Sequence, residues 1–314
     1  MEAKVIDPDF KVIAHSRNIH QVELSVSGDP EQWEHWALLS SDRHHDSIHA
    51  DRDLERKHLE QVVKRGASWI DVGDLFDCMG GRADWRHSKG DLRAEYAMAP
   101  DYFDAIVRDA AAFYSPYARH SVVVGRGNHE QSVLKRNEVD LIDRLAAHMT
   151  QLSGHPVYAG GYGGFVRYSV IIHKTERMAW TMRYFHGSGG GGPMTHGVLS
   201  TRRMASWSDA DVILSGHTHD HWSLRLQRET LEHSKGRWSI RLRDQFHIRL
   251  PSYKCEWNDG HSGWHIETGK PPKPRGATWM RLFLVRDEGA DRIEHDRRAK
   301  RGRWRLSAQF MEAQ

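Results

Sequence analysis

Short apolar runs alternate along the chain with stretches in which apolar residues recur every three or four positions. The first run, Trp36-Ala37-Leu38-Leu39, ends in Ser40-Ser41-Asp42 and predicts a strand. Asp51–Lys64 follows as a helix, because Leu54, Leu59, Val62 and Val63 can share a face and Gly66 stops it. Trp69-Ile70-Asp71-Val72 is the next strand and ends in Gly73-Asp74. Tyr102–Tyr114 reads as an alanine-rich helix. Ser121–Val124 reads as a strand running into Gly125-Arg126-Gly127-Asn128-His129, and Ser132–Met149 as a further helix. In the second half, Phe165–His173 and Ala179–Phe185 predict a strand pair, and Val212–Leu214 a strand ending in Gly216-His217-Thr218-His219. Trp222–Leu226, Trp238–Leu242, Phe246–Leu250 and Trp279–Val285 make the C-terminal third rich in strands. The rhythm is that of an α/β fold. Cys78–Asp91 and the glycine run Gly187–Gly192 are poor in regular structure, and loops this long and polar in a compact domain are usually functional or mobile.

Polar residues stand again and again just past the C-terminal end of an apolar strand. Asp42 and His44 follow the first, Asp74 and Asp77 the second, Asn128 and His129 the third. His186 follows Tyr184-Phe185, and His217 and His219 follow the Val212 strand. Ligands of open α/β sheets bind in the crevice at the carboxyl ends of strands, so side chains from five strand ends can converge. Carboxylate, imidazole and amide oxygen suit Mn²⁺, Fe or Zn²⁺, and no thiolate is among them. Two such cations, roughly 3.5–4 Å apart, can clamp a phosphate and turn a bridging water into hydroxide for in-line attack on phosphorus. The x in Asp42-Arg43-His44 and His217-Thr218-His219 fits as well, since residues i and i+2 of an extended chain point the same way.

Composition narrows the picture. At 314 residues the chain can bury a sizeable core, and neither an internal repeat nor a low-complexity linker divides it. A single domain over 1–314 is expected: a motif core at 36–221, further strands at 222–290 and a basic tail at 291–314. The net charge of +3 excludes a global polycation, although Arg292–Arg305 with Trp304 is locally basic. No apolar run approaches the roughly 20 residues a membrane span needs, and the first nine residues carry acids rather than a signal-peptide core. Cys78 and Cys255 can make one disulfide but neither a disulfide framework nor a four-cysteine zinc site, and a reducing cytoplasm is expected. Among 23 histidines only company and spacing pick out ligands.

Asp42-Arg43-His44, Gly73-Asp74-Leu75-Phe76-Asp77, Gly127-Asn128-His129-Glu130, His186 and Gly216-His217-Thr218-His219 resemble, in order, the signature of the calcineurin-like metallophosphoesterase superfamily. The resemblance spans residues 36–221 and implies a four-layered α/β/β/α sandwich. It implies one metal held by Asp42, His44, Asp74 and His219, and a second held by Asp74, Asn128, His186 and His217. Asp74 would bridge them and His129 would face the leaving group. The loops at Gly73–Trp85, at Tyr162-Gly163-Gly164 and after His186 are similar to those of uncharacterised phage and prophage members. Arg126 ahead of Gly127-Asn128-His129-Glu130 resembles the phosphoprotein phosphatases, where the matching arginine touches phosphate. The chain departs from them in carrying Cys78-Met79 after Asp77 rather than arginine and glycine, and in its second Gly-His-x-His histidine.

Taken singly these residues have ordinary readings. Asp74 could be a helix cap and Asn128 a left-handed turn residue. Asp77 could orient Asn128 or a ligand histidine, or satisfy loop donors. Glu130 is expected behind the ligands. His173 rivals His186, which is preferred because glycine follows it. His196 reads as a solvated loop residue, and His45, Asp46 and His49 as rim residues. Arg82, Trp85, Arg86 and His87 read equally as an exposed loop or as a surface that stacks a base and meets a phosphate. The expected activity is phosphoester hydrolysis with two divalent metal ions, Mn²⁺ ahead of Fe or Zn²⁺. A phosphodiester substrate, nucleic acid or nucleotide, is favoured over a phosphomonoester, and a catalytically silent scaffold ranks last.

Overall fold

A computed structural model describes residues 8–78, 92–173, 176–189, 207–234, 237–255, 264–267, 269–287 and 303–314, with single positions between them. Twelve strands among the described residues form two sheets. Strands β3 (Glu34–Ser40), β4 (Ser68–Asp71) and β5 (Ser121–Val124) are parallel neighbours, and β11 (Thr278–Asp287) and β12 (Arg303–Glu312) add antiparallel beyond β3. The other sheet runs β1 (Phe10–Ser16), β2 (Ile19–Val26), β6 (Gly163–Ile172), β7 (Glu176–Phe185), β8 (Val212–Ser215), β10 (Arg237–Arg249) and β9 (Trp222–Ser234).

The layers follow from which face of each strand is apolar. Ala37, Leu39, Ile70 and Val72 meet Val22, Val166, Tyr168, Met182 and Leu214 between the two sheets. Leu38 and Trp69, facing the other way, meet the helices α1 (Arg52–Arg65), α3 (Tyr102–Tyr114) and α5 (Leu141–Ser153) through Leu59, Ile106, Ala110 and Leu145. On the outer face of the seven-stranded sheet, Met204 and Ala210 cover Ile213 and Phe185. The result is the layered α/β sandwich that the motifs implied. Beside these stand a single turn, α2 (Ala94–Ala97), and α4 (Asn128–Asn137).

Several expectations change. Ser132–Met149 is two helices, because Glu138 takes a left-handed conformation (φ 56°) that ends α4, and Asp140 caps α5 by accepting from the Asp143 amide. β1 and β2 were not expected, although Val22 and Leu24 alternate with polar neighbours in the manner of a half-buried strand. The pieces at Trp222, Trp238 and Phe246 merge into one long β9–β10 hairpin. The last part of the basic tail, Arg303–Glu312, is β12, whose Leu306, Ala308 and Phe310 join the core between the sheets. Both cysteines are free thiols. His196, Arg82, Trp85, Arg86, His87 and the tail from 291 to 302 lie outside the described residues, as do most of the two long loops. No helix among the described residues is long and apolar enough to cross a membrane.

Candidate metal centre

The loop after β3 is anchored by a buried cation. Arg43, wholly buried, donates to Asp71 Oδ2 at the end of β4 (2.6 Å), to Ser40 Oγ (2.7 Å) and to Glu55 on α1. Its guanidinium lies over the rings of Trp69, Tyr114 and Tyr253. Burial alone would raise the Glu55 carboxyl, yet Arg43, with His45 and Tyr114, holds it down at about 2, so this pair is ionised at any physiological pH. Arg43 points away from the site, while Asp42 and His44 on either side of it belong to one donor group.

Asp42, His44, Asp74, His217 and His219 all have positive φ, between 47° and 74°. The extended Asp-x-His and His-x-His geometry expected from alternation is therefore not what brings these side chains together; left-handed turns at the strand ends do. Such backbone is uncommon for residues other than glycine, costs of order 1–3 kcal/mol each, and clusters at functional sites. The turns approach one another so closely that Gly73 (φ 115°) has no room for a Cβ against the Arg126–Gly127 peptide, nor Gly127 against Asp74.

Three groups of donors result among the described residues. Asp42, His44 and His219 form the first and Asp74, His186 and His217 the second, while His44, Asp77 and His129 form a third that shares His44 with the first; the potential ligand atoms of each lie within 4.8 Å of one another. His219 Nε2 is 3.3 Å from both Asp42 Oδ1 and His44 Nε2. Asn128 Oδ1 lies 3.1 Å from His186 Nε2 and 2.6 Å from His217 Nδ1, and Asp74 Oδ2 is 3.1 Å from His186 Nε2. Asp42 Oδ1 is buried and faces the His219 ring nitrogen. Lone-pair-bearing atoms crowded together out of water fit a divalent cation, and oxygen with imidazole nitrogen fits Mn²⁺, Fe or Zn²⁺.

The surroundings orient these groups. His44 Nδ1 is 2.8 Å from Asp77 Oδ1, which favours the proton on Nδ1 and leaves Nε2 facing the site. Asp77 thus serves a candidate ligand histidine and not Asn128, and Lys254 Nζ meets it at 3.2 Å. Burial acts to raise the Asp77 and Asp74 carboxyls, but Lys254 and His44 at the first, and His186 and His129 at the second, hold both well below the ordinary range. Burial would lower His186, yet Asp74, with Asp42, lifts it to about 9. Glu130 accepts from the backbone amides of Asp74, Phe76 and Gly127, and burial together with Asp74 pushes it up to about 8. His129 Nδ1 donates to the Asp77 carbonyl (2.5 Å), and its Nε2 stands 3.8 Å from Asp74 Oδ2.

Other expected residues are placed differently. The Arg126 guanidinium pairs with Asp140 at the start of α5, alongside Arg17, rather than with any residue of these groups. His173 sits in an exposed turn at the far end of the β6–β7 pair from His186. His45 and Asp46 are buried, not on the rim. His45 meets Asp109 and Tyr114, and Asp46 accepts from the Asp77 and Cys78 amides and the Tyr102 hydroxyl. Sequence reasoning missed Lys254, although it too follows a strand end, that of β10. It also missed the ring of Tyr162, packed edge-on against His186.

No protein-family model and no curated protein matches the chain. Solved structures give distant likenesses. A conserved uncharacterised protein of Streptococcus pneumoniae, described as a predicted phosphoesterase, is 10% identical over 88% of this chain and 99% of its own, with a TM-score of 0.30. Vps29 of Entamoeba histolytica, complexed with zinc, is 9% identical over 88% and 98%, with a TM-score of 0.31. A metallophosphoesterase of Sphaerobacter thermophilus is 13% identical over 78% and 82%, with a TM-score of 0.33. The functional case therefore rests on this chain's own residues.

Replacing Arg43 by methionine strands Glu55 and Asp71 as buried, unpaired carboxylates. Such a loss typically costs about 3–5 kcal/mol. Urea denaturation of R43M should show a drop of that size, with R43K in between because lysine keeps the charge but not the fork. A loss below about 1 kcal/mol would show that the anchor is dispensable.

Proposed function

We propose that this chain is a binuclear metal-dependent phosphoesterase that hydrolyses phosphodiesters, with nucleic acid or nucleotide as the substrate class. The observation that carries the reading is the pair of adjoining first and second donor groups, each made of one carboxylate and two imidazoles, with Asn128 Oδ1 on the second. Asp42, His44 and His219 would hold one cation, and Asn128, His186 and His217 the other, with Asp74 shared between them. When bound, two divalent cations supply Lewis acidity toward the phosphoryl oxygens and raise the acidity of water between them. Mn²⁺ is the first choice, ahead of Fe and Zn²⁺. The loop sequences resemble those of phage and prophage members of the superfamily.

The chain's own residues do the rest. Asp77, steadied by Lys254, keeps the His44 ring turned so that Nε2 faces inward. Glu130 gathers three loop amides and so holds Asp74 in place. His129, fixed through its Nδ1–H on the Asp77 carbonyl, presents Nε2 to the leaving oxygen; in its doubly protonated, imidazolium form it gives that oxygen the Nε2 proton and is left as the neutral Nδ1–H ring. Arg126 meets substrate only by exchanging Asp140 for a phosphate oxygen. A cation already neutralised serves a dianionic monoester poorly, which favours the diester.

Crystals grown with Mn²⁺ should show two anomalous peaks flanking the Asp74 carboxylate. One peak in a fully active enzyme would overturn the two-metal arrangement.

His129→Asn should keep both metals while slowing esters with poor leaving groups by about 10²–10⁴-fold, and a nitrophenyl ester much less, because nitrophenolate departs without a proton. Metal analysis alongside the kinetics separates a proton donor from a ligand: metal loss in this variant would contradict the role given to it.

With Mn²⁺, kcat/KM should be higher for bis-(nitrophenyl) phosphate than for nitrophenyl phosphate, and Arg126→Ala, which removes a cation already paired with Asp140, should change the two reactions to a similar, small extent. A clear wild-type preference for the monoester would reassign the enzyme as a phosphomonoesterase.

A further inference from the structure

Next to the second donor group, a cleft of about 620 Å³ opens along α4. Its walls are Gln131, Ser132, Lys135, Arg136, Tyr162 and Ser188, and its inner end is Asn128. The α4 residues are not a random selection. Positions 128, 131, 132, 135 and 136 follow the three-and-four spacing of a single helical stripe. One continuous face thus runs from the amide oxygen that touches His186 and His217 to a pair of cations. At 1.5 Å per residue the stripe is about 10 Å long from Asn128 to Lys135.

The lining has a definite chemistry. Lys135 and Arg136 supply positive charge at the outer end; Gln131, Ser132 and Ser188 supply neutral hydrogen-bonding groups; among the described residues no carboxylate lines the cleft. Tyr162 is held as a fixed wall, because its hydroxyl donates to the Gly187 carbonyl (2.7 Å) and its ring meets Phe185 and His186 edge-on. Cations in the last turn of a helix also complement its dipole, which accounts for Lys135 and Arg136 as helix residues. The dipole does not account for their standing on the Asn128 stripe, in a cleft whose size suits a small ligand.

The geometry points to this cleft as the subsite for a single-stranded nucleic-acid arm of the substrate, whose next phosphates lie against Lys135 and Arg136 while a base or sugar lies against Tyr162. The inference rests on the phosphoesterase reading and names the substrate class for the same site. A strand advances at least about 3.4 Å per nucleotide, so the stripe spans about one to three nucleotides beyond the scissile phosphate. Charge contacts at the outer end and a sequence-tolerant aromatic wall between are how single strands are held without base-specific readout.

The test compares a nitrophenyl ester of thymidine 5′-phosphate with its 3′-phosphorylated counterpart, on wild type and on the double variant K135E/R136E. The wild type should favour the 3′-phosphorylated ester about tenfold in kcat/KM, and the variant should abolish or reverse that ratio. In parallel, fluorescence anisotropy of a labelled oligothymidylate across a KCl series should show the slope of log K against log salt flattening by roughly 1.4 in the variant, the amount two lost phosphate contacts account for. An unchanged ratio together with an unchanged slope overturns the cleft and leaves the phosphoesterase reading standing. Absence of turnover on every ester with every metal overturns the phosphoesterase reading, and the salt slope then judges the cleft by itself. Equal flattening with duplex and single-stranded probes would contradict the single-strand assignment.

Discussion

Everything at the centre hangs on a positive charge sealed inside the protein. Arg43 ties the loop after β3 to Asp71 at the end of β4 and to Glu55 on α1, and three aromatic rings close around it. A buried ion pair is weak evidence of net stabilisation, because desolvation offsets much of the attraction. What this one provides is orientation. With Arg43 fixed on both sides, the loop that carries Asp42 and His44 is fixed as well.

The second constraint is steric. Five candidate ligands occupy left-handed backbone, and Gly73 and Gly127 let the turns that carry them touch. A compact centre with several acids and imidazoles in mutual contact is electrostatically costly without a cation. The opposed shifts at the site express that tension: burial works against the charged carboxylates, while Asp74 raises the His186 imidazole. A divalent cation held by these residues would neutralise the same carboxylates.

Much of this was legible in the sequence. The rule that polar residues past strand ends converge located Asp42, His44, Asp74, Asn128, His186, His217 and His219, because each strand end is marked by a short apolar run and a glycine or serine. The same rule, applied after β10, would have found Lys254. What the sequence hid was backbone handedness: a pattern of alternation describes extended chain, and it cannot announce a residue at φ 50°. Long-range pairing was hidden as well. Arg126 looked poised for phosphate because its partner, Asp140, lies beyond a helix break at Glu138 that helical periodicity alone runs through. β12 escaped because its arginines, read along the chain, outweigh the alternate positions that go into the core.

The left-handed turns also bear on how the chain can drift. Asparagine, aspartate and histidine tolerate that backbone better than other side chains, while β-branched residues are genuine outliers there. Glycine takes that backbone without strain, yet it brings no side-chain ligand atom. Selection on folding and selection on metal affinity therefore pull in opposite directions at positions 42, 44, 74, 217 and 219. A lineage that no longer needed the chemistry would be expected to drift toward glycine at these positions, so aspartates and histidines kept at all five in a descendant would be a record of the reaction rather than of the backbone.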